Sequence, residues 1–551
     1  MPPPSPARRL LPWLALTALY TAVTLVYFWP LPRLAGDHIG PDLGDPLFIL
    51  YVLKWGAHQI GLGLPDVWDA NIYYPTRGTL AFSDHLLGPA AQLFLFLKLV
   101  PNAIAGYNFL FLSSFVASAL AVCWVLRRGG ISWIAAALAG GMYAFSSFRY
   151  GQLAHLQILI AQWIPLTLWL WDRLLAERTV KNAALFLLFY LLNLSGGCYL
   201  AYMIHFPMLA ILVSRIIAER RDLLSLRSLR VLAPVALVAG ACAAVLFLPY
   251  ARVSRAQSLS RPASEIEAYG AHLASYLSPD PQNLYFGAGA DRFLRGLFGD
   301  SADLFHRPEN ALFAGFLPTI LFLVGAFAAL RERPLDPWAR GLALAGLLCF
   351  ALSFAPVYVP LAGIVPGLAG MRVPARFYAF TSFALVYLAG RGVDLLLRCL
   401  QTPRARWALA AGLAAVLAVE LAPRRIAWER LPREEEMPRA YFWLRDQPDV
   451  KALIELPIGR DAAQENGYLY AATLHWKPIA NGTSGYTADS YTTLANHIPL
   501  VPHADGFDLL RRMGFTHIVL HIGPTVRPKV AERWEERFGS GPERRMEKVY
   551  E

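Results

Sequence analysis

The sequence predicts an α-helical polytopic membrane protein with a small C-terminal α/β domain outside the cytoplasm. Three observations carry this. Of 551 residues, 56% are apolar and only 16% are charged, where a soluble chain carries about 25% charged residues. Apolar runs of about 18 residues or more, long enough to cross a bilayer, recur along the chain. The net charge of +11 gathers in short Arg-rich loops between those runs, the positive-inside pattern. The partner of that basic charge is therefore the lipid bilayer, not nucleic acid.

The first run, Leu10–Pro30, follows Arg8 and Arg9. It is too long for a signal peptide and shows no small-x-small cleavage site, so it reads as an uncleaved span with a cytoplasmic N-terminus. A first outer loop, 31–104, comes next. Within it Pro46–Ile60 is apolar on one side and carries Lys54 and His58, which suits a helix lying in the membrane interface. Asn71-Ile72-Tyr73-Tyr74-Pro75 reads as a turn with aromatic anchors. His85–Val100 is short for a span and is broken by Gly88-Pro89. Laying it in the interface puts Arg127, Arg128 and the later Arg-rich loops on the cytoplasmic side. Further spans are expected at 105–126, 131–148, 155–172, 182–197, 200–217, 229–250, 311–331, 338–357, 377–397 and 406–422, making about eleven in all.

Two more outer segments interrupt the spans: 251–310, rich in Ser, Pro, Asp and Tyr, and 357–378, rich in Pro and Gly. The expected domains are a transmembrane one over 1–422 and a soluble one over 423–551. In the latter, Pro438–Asp446 and Gly506–Met513 have helical spacing, and Ala452–Leu456 and His517–His521 are short β-rich runs. The five cysteines, Cys123, Cys198, Cys242, Cys349 and Cys399, form no CxxC pair and read as packing residues. No P-loop, no GxGxxG after a strand and no HExxH is present.

The stretch RLAGDHIGPDLGDPLFILY holds Asp37, Asp42 and Asp45 at the start of a new apolar segment. Asp45-Pro46 suits a helix start on structural grounds alone, and Asp42 suits a turn. The chemical reading makes one of them a general base that takes a proton from an acceptor hydroxyl. Asp42 and Asp45 together also offer oxygen ligands to a divalent cation, Mg or Mn.

Architecture and motifs together resemble the GT-C superfamily of membrane glycosyltransferases, in a bacterial branch. The resemblance covers nearly the whole chain and rests on GDPLFILYVLKW, NIYYPTRGTLAFSDHLLG, FRYGQLAHLQILIAQWIPL, MRVPARFYAF and HWKPIANGTSGY. It implies a polyprenyl-phosphate sugar donor and a glycan, lipid or protein acceptor outside the cytoplasm. It further implies a first-loop Asp as base and a place in the bacterial inner membrane. The superfamily's acidic pair is Asp-Glu or Asp-x-Asp. Here Pro46 follows Asp45, so the match is by position and the choice between Asp42 and Asp45 stays open. Arg372 and Arg376 flank Pro374 at the outer mouth of a span. They suit either snorkelling to headgroups or, as the resemblance implies, a clamp on the donor phosphate.

Other candidates for the substrate cavity are Asp37, Tyr74, Asp84, His85, His155, Gln162, Glu265, Glu309, His475 and Trp476. His155 and Gln162 are seven apart and would share a helical face. Asp84-His85 also suits a helix cap. Glu265 and Glu309 also suit a solvated loop. His475-Trp476 offers a ring for stacking on a sugar or a buried loop. The rival reading is a lipid or polysaccharide transporter, or a non-catalytic membrane scaffold. Clean spans and the lack of internal repeats speak against a transporter.

Overall fold

The computed structural model describes residues 6–223, 225–301, 307–332, 336–459, 461–498 and 504–521. The last part of the expected soluble domain, 522–551, lies outside the described residues. The chain divides into two compact units, each built from separated segments. One comprises Met1–Leu34, Asn108–Leu248 and Ser260–Ala427; the other comprises Ala35–Tyr107, Pro249–Leu259 and Trp428–Glu551.

The chain is a multi-pass helical membrane protein. Among the described residues six helical stretches are long and apolar enough to cross a membrane: Leu10–Tyr27, Ala103–Arg128, Leu156–Glu177, Cys198–Arg220, Leu226–Ala256 and Pro374–Cys399. The pair Pro337–Leu352 and Ala355–Ala362, bent by 86°, makes a seventh if counted as one span. The eleven windows expected from hydropathy are not matched by as many helices of spanning length. Val180–Leu194 and Phe316–Arg331 are apolar but shorter, and the window at 131–148 holds a helix only over Trp133–Ala144.

Two devices hold the first unit together. Phe316–Arg331 packs against Tyr378–Cys399, with glycines at the closest approach. A Cβ on Gly325 would collide with the Leu388 carbonyl oxygen, and one on Gly392 with that of Leu321. Small residues of this kind let membrane helices meet backbone to backbone. Elsewhere Arg215 grips Asp172 through two bonds, Nε–Oδ1 at 2.7 Å and Nη2–Oδ2 at 2.6 Å. This buried pair ties Trp163–Glu177 to His205–Leu223.

The second unit is α/β. Strand Leu453–Leu456 pairs in parallel with His517–Leu520, Leu453 opposite His517. Helices Arg439–Asp446 and Ala504–Arg512 fall where helical spacing places them. The segment 478–481 adds to the sheet through a parallel bridge, Leu453 to Ile479. The aromatic turn of the first outer segment adds in turn. Ile479 N–H donates to the Asn71 carbonyl at 2.9 Å, and Tyr74 N–H to the Ile479 carbonyl at 2.9 Å. Asn481 imitates a strand with its side chain, giving its amide to the Glu455 carbonyl at 3.0 Å and accepting the Glu455 N–H at 2.8 Å. The first outer segment and the tail therefore share one sheet.

Helix Asp45–Leu62 sits inside this unit, against Leu87–Leu97 and Ala462–His475. Its residues from Pro46 to Ala57 are all buried, so it is a core helix and not the interfacial one expected. The amphipathic reading fails because its polar residues find protein partners. Lys54 meets Glu434 at 2.8 Å, and Gln59 accepts the Asp66 N–H at 3.3 Å. The helix Leu87–Leu97 has 11 residues, about 16 Å at the α-helical rise, too short to span.

Candidate functional site

The turn that carries Asp42 and Asp45 belongs to the second unit. Asp42 Oδ1 accepts the Gly44 N–H at 2.7 Å, the two-residue loop that Asp favours in turns. Asp45 then opens the helix with proline next to it, where a negative charge suits the positive end of the helix dipole. Both aspartates are solvent-exposed. The turn is gripped from the tail: Asn466 Nδ2 donates to the Gly44 carbonyl at 2.7 Å and to that of Leu43 at 3.4 Å. Next to Asn466, the Glu465 carboxylate is buried and bound by three donors. Its Oε1 accepts from Gly459 N–H at 2.8 Å and Tyr491 hydroxyl at 3.0 Å, and its Oε2 from Gly482 N–H at 3.2 Å. Burial raises the Glu465 pKa, and these bonds oppose the rise.

Asp37 stands apart from that turn. Its carboxylate pairs with His38 Nδ1 at 2.7 Å and Arg433 Nη2 at 3.0 Å. The bond from His38, then that from Arg433, holds its pKa below the usual carboxylate value. Its partner Arg433 borders a cavity of about 400 Å³ lined also by Gly36, Asn102, Glu435, Phe442 and Tyr470.

Several candidates prove structural. Tyr74 packs edge-on against Phe515 at 5.4 Å in the apolar core of the tail, so it is not a cavity wall. Asp84 and His85 are buried, and His85 Nδ1 accepts the Leu87 N–H at 3.2 Å, capping the helix that follows. His475 is buried, accepts the Lys477 N–H on Nδ1 at 3.0 Å, and lies parallel to the Tyr441 ring. Burial pushes its pKa down to about 4. Trp476 stacks on His58, ring centres 4.0 Å apart and planes 10° apart. That face of the indole is filled by protein.

The remaining candidates lie in the first unit. Arg372 Nη1 meets Glu265 Oε1 at 3.4 Å, and Arg261 holds the same oxygen at 3.1 Å. Arg372 and Arg307 both lie over the Tyr269 ring, at 5.3 and 5.0 Å. Arg376 is buried, with Nη2 3.2 Å from Glu309 Oε1 and its guanidinium 4.8 Å from the Tyr199 ring centre. His155 Nε2 is 4.0 Å from the same Glu309 oxygen. Glu265 and Glu309 are thus arginine-bound and not loose in a solvated loop. His155 and Gln162 do not share a helical face, because the helix Leu156–Leu159 stops before Trp163–Glu177 begins. Both are buried beside that break. Three arginines stand against Glu265 and Tyr269, and the forked donors of arginine suit an anion.

Glu465 and Asn466 escaped the sequence reading. The available signal was three adjacent polar residues, Gln464 to Asn466, in the mainly apolar helix Ala462–His475. Among the described residues no group of three or more His, Cys, Asp or Glu is placed to hold a metal ion.

Comparison with solved structures shows the fold. The oligosaccharyltransferase of Archaeoglobus fulgidus, in a complex with Zn and sulfate, superposes with a TM-score of 0.51 at 14% identity, covering 92% of this chain and 67% of its own. ArnT from Cupriavidus metallidurans in the apo state gives 0.45 at 14% identity, covering 94% of this chain and 95% of its own. The same protein bound to undecaprenyl phosphate gives 0.44 at 13% identity, covering 90% of each chain. The fold is therefore similar to that of the Archaeoglobus fulgidus oligosaccharyltransferase. No curated protein matches the chain by sequence. A family model described as Domain of unknown function (DUF6311) matches residues 41–364, more than half of the chain, and the chain belongs to that family.

Proposed function

We propose that this chain is an integral membrane glycosyltransferase that moves a sugar from a polyprenyl-phosphate donor to an acceptor outside the cytoplasm. The observation that carries the reading is the exposed pair Asp42 and Asp45 on a turn anchored by Asn466, within a GT-C fold. A fold alone does not assign a reaction; two solvent-exposed carboxylates on a fixed turn supply the chemistry. In this reading the acceptor oxygen attacks the anomeric carbon while a carboxylate takes its proton. The bond from that carbon to the phosphate oxygen breaks, and polyprenyl phosphate leaves with the electron pair. A single displacement inverts the anomeric centre. Asp42 shapes the turn by accepting the Gly44 N–H, and the reading gives the base role to Asp45, at the first position of the helix Asp45–Leu62. Arg372, with Arg261 and Arg307, holds the donor phosphate and stabilises its developing charge. A divalent cation such as Mg or Mn would find two carboxylate ligands, Asp42 and Asp45, and no third acidic, His or Cys ligand among the described residues. No step is assigned to a metal.

The test is sugar transfer in membranes supplied with a panel of polyprenyl-phosphate sugars, comparing wild type, Asp42→Asn and Asp45→Asn at matched expression. Turnover lost in Asp45→Asn with donor binding retained supports the reading. Loss in Asp42→Asn alone reverses the two roles. Wild-type turnover in both variants removes the carboxylates from the chemistry.

A further inference from the structure

Asn466 is only 1% exposed, and its two amide ends fare differently. Nδ2 is fully engaged with the carbonyls of Leu43 and Gly44. Oδ1, on the same planar carboxamide and so held beside that turn, has no hydrogen-bond partner among the described residues. An unpaired buried amide oxygen weakens a fold, and native proteins keep few of them. An apolar residue of similar size would avoid that loss. Asn466 is therefore a poor choice for stability and a good one for holding the turn.

The support behind Asn466 is stiff. Glu465, one residue earlier, is fixed by Gly459, Gly482 and Tyr491. Asp461 accepts the Gln464 N–H at 2.8 Å and caps the helix start. A second buried group without a partner among the described residues is the Tyr107 hydroxyl, which feels the charge of Asp42 and Asp45. Two exposed carboxylates thus share this region with two buried polar atoms that no described residue satisfies.

We propose that Asn466 is a positioning residue of the transfer site: Nδ2 fixes the turn that presents Asp42 and Asp45, and Oδ1 receives a hydroxyl of the acceptor. A ligand that satisfies this acceptor-only oxygen must bring a donor, O–H or N–H, besides the hydroxyl that reacts. A polyhydroxylated acceptor, a glycan, supplies such a donor on the carbon beside its reacting hydroxyl, and it is the class the experiment uses. This rests on the transferase reading above.

The experiment uses the full chain in nanodiscs and has two readouts. The first is hydrogen–deuterium exchange at the amides of residues 42–45, which needs no turnover. Asn466→Ala is expected to speed exchange there at least tenfold, with the rest of the tail unchanged. Asp45→Asn is expected to leave it unchanged. The second is steady-state transfer to glycan acceptors. Asn466→Ala and Tyr107→Phe are each expected to raise the acceptor KM about tenfold, roughly the worth of one hydrogen bond, with the donor KM within twofold. Asn466→Ala should lower kcat as well. Unchanged exchange at 42–45 overturns the clamp. Equal effects on both KM values together with general loosening of the tail reduce Asn466 to a packing role and overturn the proposal. Should Asp42→Asn and Asp45→Asn both keep full turnover while Asn466→Ala speeds exchange, the clamp stands and the carboxylate-base reading falls.

Discussion

Arg376 Nη2 donates to Glu309 Oε1 at 3.2 Å, and both side chains are buried. Arg372, four residues earlier, shares Glu265 with Arg261 and keeps 38% of its side chain exposed. Two arginines that look equivalent in sequence therefore have different work. Arg376→Ala strands a buried carboxylate and is expected to cost about 3–5 kcal/mol. Arg372→Ala breaks a half-exposed pair and is expected to cost less than about 1 kcal/mol, while raising the donor KM tenfold or more. Thermal unfolding in detergent and donor titration separate the two. A normal donor KM in Arg372→Ala would remove that residue from the donor site.

Lys54 makes a similar point inside the second unit. It is buried, its ammonium 2.8 Å from Glu434 and 5.1 Å from the centre of the Tyr470 ring. Burial lowers its pKa and Glu434 opposes the drop. Glu434→Gln leaves the ammonium without its counter-ion and is expected to cost about 1–3 kcal/mol at pH 7. Adding Lys54→Met to that variant is expected to recover the loss, since a well-packed apolar residue replaces a buried ion pair at little or no cost. A double variant as unstable as the single one would mean that the Lys54 stem, not its charge, is what the site needs.

Hydropathy and motif spacing revealed the membrane class, the GT-C resemblance and the first-turn position of Asp45, because each is written in runs of neighbouring residues. The strands Leu453–Leu456 and His517–Leu520 were legible as β-rich runs for the same reason. Contacts between distant segments were not. Lys54 looked like the polar side of an interfacial helix because Glu434 lies 380 residues away. Trp476 looked like a sugar platform because nothing local announces His58. Asn466 carried no motif at all; its meaning lies in a bond to Gly44 across 422 residues. The break between His155 and Gln162 hides in an unbroken apolar run that also contains polar side chains.

The contact of Phe316–Arg331 with Tyr378–Cys399 depends on Gly325, which lies against the Leu388 carbonyl. Gly325→Ala must push the helices apart, since backbone cannot yield as a side chain does. The expected loss is about 1–3 kcal/mol, seen as a lower thermal midpoint in detergent. Gly412, where an added Cβ meets nothing within 4 Å, is the control: Gly412→Ala is expected to be neutral or stabilising by up to about 1 kcal/mol through helix propensity. Equal midpoints for the two variants would show that the helices are not packed this closely.

His475 gives the tail a pH dependence of definite sign. Burial holds its folded pKa at about 4, below the value of about 6.5 for an unfolded chain. Between these values the unfolded chain takes a proton that the folded one refuses. Its contribution is therefore fully present above about pH 6.5 and falls as the pH drops toward 4, below which both states are protonated and no more is lost. A shift of this size amounts to about 3 kcal/mol over the window. His475→Asn keeps an acceptor for the Lys477 N–H and cannot titrate. Thermal midpoints measured from pH 8 to 4 should fall more steeply in the wild type than in His475→Asn as the pH drops below about 6.5, with the two curves parallel above pH 7. Parallel curves throughout would place the His475 ring in water and not behind Tyr441.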